Sequence, residues 1–334
     1  MGKTSLVYQL RDNLPGVLIA YVDLQAISSG RHDEIYFRMI SALRLQMRIK
    51  HGLQTPNLKL LDFDAAGHYP NAATDFHDDL LALRDAIERT GRTARILLLM
   101  DEIEVMIPFG DNKGFTGHEE FFRQLRGLYQ NERFILSGVI GADPTLCRIG
   151  RWGDRDNPIF QYYDELFLTF LDRRECCDMA EGIGRMMSIT FESAALDLVF
   201  EQSGGHPYVA RQLCSCITSR YRERPLHVDE SAVRDGMQDY VVRRPDYFQG
   251  IFRSYAGETG RALLVHLAKS EDNELTRDRI ISLMQGDVPA DPAVIDQALQ
   301  NLELFNLVAR DRDVYRMKIL LMRFWVRRSL LGMK

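Results

Sequence analysis

The sequence lacks most of the features that assign a class quickly. Five cysteines in 334 residues form no Cys-x-x-Cys pair. A disulfide scaffold or structural zinc site is therefore not expected, and a reducing cytoplasm is the natural compartment. No apolar run approaches the roughly 18 to 20 residues of a membrane-spanning helix, so no membrane partner is expected. The longest strings are of the Ile96-Met100 kind. The first residues lack the long apolar core of a secretory signal. There is no His-Glu-x-x-His, no Gly-x-Ser-x-Gly elbow and no Cys/His nucleophile spacing, which leaves the common hydrolase chemistries unsupported. Internal repeats and low-complexity tracts are missing too. Lys and Arg (42) are outnumbered by Asp and Glu (47), a net charge of −5, so the chain as a whole is no electrostatic match for nucleic acid.

What remains is globular: 46% hydrophobic and 27% charged residues. A prior of about 150 residues per domain suggests two domains, with room for a small third. The first half alternates helical patterns with short apolar runs, the mark of a parallel sheet with crossover helices. Helices are expected at 3–14, 34–50, 76–89 and 118–131. Strands are expected at Val17–Val22, Ile96–Met100 and Phe134–Val139, with a last one near Glu165–Thr169. The Gly- and Pro-bearing stretch 51–71 reads as a long surface connection. From Asp172 the pattern is helical to about Tyr255, broken at Gly204-Gly205-His206-Pro207. The final eighty or so residues read as three helices, two short strands and an amphipathic end, which suggests a winged helix. The expected division is 1–171, 172–254 and 255–334.

Gly2-Lys3-Thr4-Ser5 matches the end of a P-loop, G-x-x-x-x-G-K-[ST]. Glycine lets the backbone approach phosphate, helix-start amides donate to the anion, lysine reaches the β- and γ-phosphates and the Thr4 hydroxyl holds Mg²⁺. Asp101-Glu102 follows five apolar residues, as in a Walker B element. Asp101 would hold the metal and Glu102 would orient the attacking water. Two acids can also simply end a buried strand. Ser137, 36 residues beyond Asp101 at the end of the next strand, stands where a polar sensor of the γ-phosphate is expected, or bonds to backbone as strand-end serines do.

On these residues the chain resembles P-loop ATPases of the AAA+/STAND group and their archaeal-type relatives. Gly2-Lys3-Thr4-Ser5, Ile96–Glu102, Phe134–Gly138 and Gly204-Gly205-His206-Pro207-Tyr208 carry the likeness. The ending from Tyr315 to Trp325 resembles their winged-helix tail. The resemblance implies an α/β fold, a parallel sheet with helices on both faces, followed by a helical lid and a winged-helix domain. It also implies ATP and Mg²⁺ as ligands, with the Gly-x-Pro element placing His206 and Pro207 near the adenine. The lid position where such proteins often carry arginine holds Tyr208, with Arg211 one turn on. Arg148, Arg151 and Arg155 are candidates for an arginine finger.

A P-loop hangs from a central strand, and neither that strand nor the first loop glycine is present. Met1 is therefore expected to be an internal residue of a longer natural protein or a misassigned start. The implied function is an ATP-binding, Mg²⁺-dependent NTPase used as a switch, with a protein effector or self-association as its partner. The alternatives are a DNA-associated ATPase of the replication or transposition-regulator kind and a non-catalytic scaffold. DNA is disfavoured because the helix that would read the groove, Asp291–Phe305, carries three acids and no Lys or Arg. The basic tail beyond it, eight cations against two acids from Arg310 to Lys334, suits a phosphate backbone or an acidic protein surface. Cys176-Cys177 and Cys214/Cys216 read as small packing residues, and Phe121-Phe122 and Tyr162-Tyr163 as core.

Overall fold

Strands apolar along their whole length need cover on both faces, and the first half of the chain supplies it. The computed structural model describes residues 2–62, 69, 71–108, 112–143, 150–152, 155–157, 159, 162–254, 256–287 and 291–333. Residues Lys3–Phe167 form one compact unit and Leu168–Lys334 belong to a second. In the first, α1 (Lys3–Asn13) leads into β1 (Leu18–Asp23), then α2 (His32–His51), α3 (Ala72–Glu88), β2 (Ile96–Asp101), α4 (His118–Asn131) and β3 (Ile135–Val139). The strands pair in parallel in the order β1-β2-β3, with Leu18 opposite Ile96 and Ile96 opposite Ile135.

Side chains alternate between the two faces of each strand. Leu18, Ala20, Val22, Ile96, Leu98, Met100 and Ile135 join a core closed by apolar residues of α2, α3 and α4. The other face presents Ile19 and Leu99, with Tyr21 and Leu97, to Val7 and Leu10 of α1. The result is a parallel sheet with helices on both faces. Its β1 edge is covered by a side chain: the Gln46 amide donates to the Ile19 carbonyl at 2.7 Å and accepts from the Ile19 amide at 3.0 Å. Among the described residues no strand pairs with the far side of β3, where Leu136 is 60% exposed. Lys50 of α2 binds α1 at its far end, its ammonium donating to the carbonyls of Arg11 (2.6 Å), Leu14 and Val17 (both 3.4 Å). A cation there suits the negative end of a helix.

Two expectations need correction in this unit. Glu165–Thr169 forms no strand, because no described strand stands beside it to complete a ladder. The connection after α2 is not all surface: Leu58 and Leu60 are buried. The Asp79 carboxylate holds them in place by accepting the amides of Lys59 (2.8 Å) and Leu60 (3.0 Å). A short antiparallel pair follows β3, β4 (Arg151–Trp152) with β5 (Arg155–Asp156).

The second unit starts at α5 (Arg173–Met186), where Asp172 and Glu175 form a capping box. Next come β6 (Ile189–Phe191), α6 (Ser193–Ser203), α7 (Pro207–Thr218), β7 (Leu226–Val228), α8 (Glu230–Arg243) and α9 (Pro245–Ser254). The chain then runs through α10 (Gly257–Lys269), β8 (Leu275–Thr276), α11 (Arg277–Asp287), α12 (Pro292–Leu304), β9 (Val308–Asp311), β10 (Val314–Met317) and α13 (Leu320–Ser329). β6 and β7 pair in parallel, and β8, β10 and β9 form an antiparallel sheet in that order. One apolar cluster runs through the whole unit, from Phe170 to Val326. Within it the Phe248 and Trp325 rings lie 6.2 Å apart. No described helix is long and apolar enough to cross a membrane.

Candidate functional site

The alternation that turns Leu97 and Leu99 toward α1 turns Asp101 the same way. Asp101 ends β2, and α1 begins with Lys3. Residues 98 positions apart in the chain therefore meet. The Lys3 ammonium lies 3.9 Å from Asp101 Oδ1 and 3.5 Å from Glu102 Oε1. Asp101 is buried, and its carboxylate is held by two further donors. The Tyr21 hydroxyl donates to Oδ2 at 2.9 Å and the Glu102 amide to Oδ1 at 2.9 Å. Burial, and then the facing Asp101 carboxylate, push the Tyr21 hydroxyl above its ordinary pKa, so it stays a donor.

Glu102 adopts a left-handed backbone, φ 56° and ψ 48°, at a cost of about 1 to 2 kcal/mol for a residue with a Cβ. The chain turns sharply there into Ile103–Val105. Glu104 ties that turn to the segment after β3 by accepting the amides of Ala142 and Asp143. A Cβ on Gly141 would come 2.9 Å from the Glu104 carboxylate. The outcome is one half-buried ammonium beside one buried and one accessible carboxylate, at the end of the sheet where the parallel strands finish.

The other expected residues fall in several places. Gly2 has φ +79° and open space where a side chain would stand, and Ser5 is exposed in the first turn of α1. The Thr4 side chain lies outside the described atoms. Ser137 is not at a strand end. It sits in mid-β3, in register with Leu98, about 10 Å short of the level of Asp101 at the usual strand rise. Its hydroxyl meets the Tyr163 hydroxyl at 2.8 Å, and the strand-end position belongs to Val139. Among the finger candidates, Arg148 and the Arg155 side chain lie outside the described residues, and Arg151 is exposed on β4.

His206 and Pro207 belong to the second unit. His206 is buried and caps α7, its Nδ1 accepting the Val209 amide at 3.4 Å while Nε2 meets the Tyr247 hydroxyl at 3.0 Å. That arrangement assigns the proton to Nε2. Burial lowers its pKa to about 4. Pro207 takes the first helical position, where its missing amide costs nothing. Tyr208 stacks on Tyr247 with ring centroids 4.5 Å apart, and Arg211 is exposed.

Two contributors escaped sequence reading. Tyr21 faces Leu99 in register, which makes it the diagonal neighbour of Asp101 on the same sheet face. Its position in the period-two pattern of β1 is the signal that finds it. Glu104 has no such signal. Burial pushes the Cys176 thiol up to about 11 and Cys214 to about 12, as inert packing residues require.

No protein-family model matches the chain, and no curated protein matches it in sequence. Among solved structures, the Walker-type ATPase of Pyrococcus abyssi superposes with a TM-score of 0.63 at 14% identity, covering 98% of this chain and 88% of that one. The fold is that of a P-loop NTPase. The Aeropyrum pernix ORC2 protein aligns at 14% identity over 99% of this chain and 85% of that one, with a TM-score of 0.48. The Thermotoga maritima RuvB branch-migration motor aligns at 12% identity over 100% and 96%, with a TM-score of 0.36. These two superpositions are too loose to add to the first. At such identities the likeness establishes the P-loop NTPase fold and no more.

Proposed function

We propose that the protein binds ATP with Mg²⁺ at the Lys3–Asp101–Glu102 cluster and uses nucleotide state as a switch. The observation that carries this reading is the approach of the Lys3 ammonium to both carboxylates, 3.9 and 3.5 Å away, at the carboxyl ends of parallel strands, where open α/β sheets place their ligands. The P-loop NTPase fold shared with a Walker-type ATPase supports it.

The residues fit the group. Two carboxylates against one ammonium leave a local charge that a divalent cation complements. No cluster of three or more metal-ligating side chains occurs among the described residues, and magnesium at phosphate sites characteristically takes one or two carboxylates and fills its shell with water and phosphate oxygens. Magnesium would neutralise charge on the phosphates. Asp101 and Thr4 would hold it, and Gly2, Lys3 and Ser5, at the head of α1, would bind phosphate through a cation and helix-start amides. Glu102, accessible and fixed by its strained turn, would accept a proton from water and aim it. Ser137, held in mid-strand by Tyr163, is given no part.

In the second unit, three helices and a three-stranded β8-β10-β9 sheet follow the order of a winged helix. We read 172–254 as a lid and 255–334 as this module. We take the module as a protein-docking element rather than a reader of DNA. α12, which would enter the groove, carries no Lys or Arg, and its Asp296 is held by Arg277 at 2.8 and 2.6 Å.

Calorimetric titration with ATP and Mg²⁺ tests the reading, with Lys3→Ala and Glu102→Gln beside the native chain. Binding that Lys3→Ala abolishes, and that Glu102→Gln retains without turnover, is the expected result. A native chain with no measurable affinity for the nucleotide would leave only a scaffold.

A further inference from the structure

The second unit contains a cavity of about 250 Å³ among α6, α8 and α13, lined by Gln202, Met237, Leu320, Arg323, Phe324 and Arg327. Its floor is apolar: a thioether, an aliphatic chain and an aromatic ring. Its charge is of one sign. Arg323 and Arg327 stand four residues apart on α13, which puts them on one helix face. Among the described residues neither forms an ion pair with a carboxylate. Arg323 spends one end of its guanidinium on the carbonyls of Ser270 and Glu271, at the C-terminal cap of α10. Its Nε is buried without a partner among the described atoms. Burial, and then the neighbouring Arg327, hold its pKa below the ordinary arginine value. The Arg327 guanidinium has no described bond at all. From Val314 to Lys334 the sequence holds six cations and no acid, so the segment supplies no internal counter-charge.

The volume is below the roughly 300 to 1,000 Å³ of pockets that enclose a whole cofactor. It suits one large side chain. Paired guanidiniums over an apolar floor match a carboxylate flanking such an anchor, because the planar fork of arginine is built for carboxylate. We propose that this cavity docks an acidic segment of a partner protein. One large apolar side chain would sit on Met237, Leu320 and Phe324, with an adjacent carboxylate on Arg327. The inference deepens the protein-docking reading of the C-terminal module and rests on that reading alone. Nucleotide titration and peptide titration therefore fail separately.

The test is fluorescence anisotropy on the full chain with a labelled peptide carrying phenylalanine between two glutamates. Two control peptides replace the glutamates by glutamine or the phenylalanine by alanine. Binding is expected for the first peptide, weakened about tenfold or more by either replacement and by Arg327→Glu, and weakened less by Arg327→Lys, which keeps the charge and loses the fork. Raising salt from about 0.05 to 0.5 M should weaken it as screening shortens. The Arg327 side chain holds no described bond, so the melting temperature of Arg327→Glu should match that of the native chain, and the peptide arms need no variant. No binding, equal binding of the neutral peptide, or indifference to Arg327→Glu would each overturn the proposal. Displacement of the peptide by a DNA duplex at equal charge concentration would assign the cations to phosphate and overturn it as well.

Discussion

Replacing Lys3 by methionine keeps the length of the side chain and removes its charge, and the cluster around it predicts two effects of opposite sign. In the native chain the ammonium stands 3.5 Å from Glu102 and 3.9 Å from Asp101. Opposite charges about 4 Å apart attract by about 1 kcal/mol in water and about 4 kcal/mol at the effective dielectric of a protein surface. Lys3 is 16% exposed, Asp101 2% and Glu102 32%, so the true value lies between those limits. For a triphosphate, Lys3→Met removes a charge-assisted contact of about 1.5 to 3 kcal/mol, and affinity should fall about ten- to a hundredfold. For a bare divalent cation the sign reverses, since the two carboxylates lose their competitor and should bind the ion roughly tenfold more tightly. Fluorescent ATP-analogue titration reads the first effect. Mn²⁺ binding followed by water proton relaxation, without nucleotide, reads the second. Unchanged nucleotide affinity would refute the reasoning. A parallel fall in both affinities would show that the substitution damages the fold and that the three groups do not work as a site.

Three further outcomes follow from the geometry. A Cβ on Gly205, whose φ is +75°, would lie 2.0 Å from the Leu171 carbonyl, and Gly205 accepts the Leu171 amide at 2.9 Å. Gly205→Ala should therefore cost about 2 to 4 kcal/mol, lowering the melting temperature by about 5 to 15 °C; a shift under 2 °C, roughly, would contradict the close approach. His206 has its pKa lowered to about 4 by burial, so the unfolded chain binds the extra proton first. Its contribution, about 3 kcal/mol, is complete above an unfolded pKa of about 6.5 and is lost as pH falls toward 4. Urea midpoints between pH 7 and 4.5 should fall more steeply for the native chain than for His206→Asn, which can still cap α7; equal slopes would count against it. Finally, Glu102→Gly should relieve its left-handed backbone, raising stability by about 1 kcal/mol while abolishing ATP turnover. A loss of stability would mean that the Glu102 side chain does more for the fold than its exposure indicates.

Period and polarity made much of this molecule readable before any coordinates. Ile96–Asp101 is apolar throughout and ends on an acid, and it is a central strand whose last residue meets Lys3. The helices from Arg173 to Arg243 are bounded by caps that the chain spells out: Asp172, His206-Pro207 and Asp229. What stayed hidden depends on partners distant in sequence. β6 and β7 are three residues each, too short for alternation to register. Glu165–Thr169 has strand-like residues, yet ladder pairing rather than propensity decides a strand. Ser137 was expected at a strand end, whereas register with β2, which no local pattern encodes, puts it in the middle. Leu58 and Leu60 sat unremarked in a polar stretch because their anchor, Asp79, comes nineteen or more residues later.

The glutamine laid along β1 has a consequence for growth of the sheet. By saturating the outward amide and carbonyl of Ile19, Gln46 denies an incoming strand its first foothold on that side, as a guard residue would in an aggregation-prone edge. The side of β3, beside Leu136, carries no such guard among the described residues, and a strand recruited by this unit meets less obstruction there.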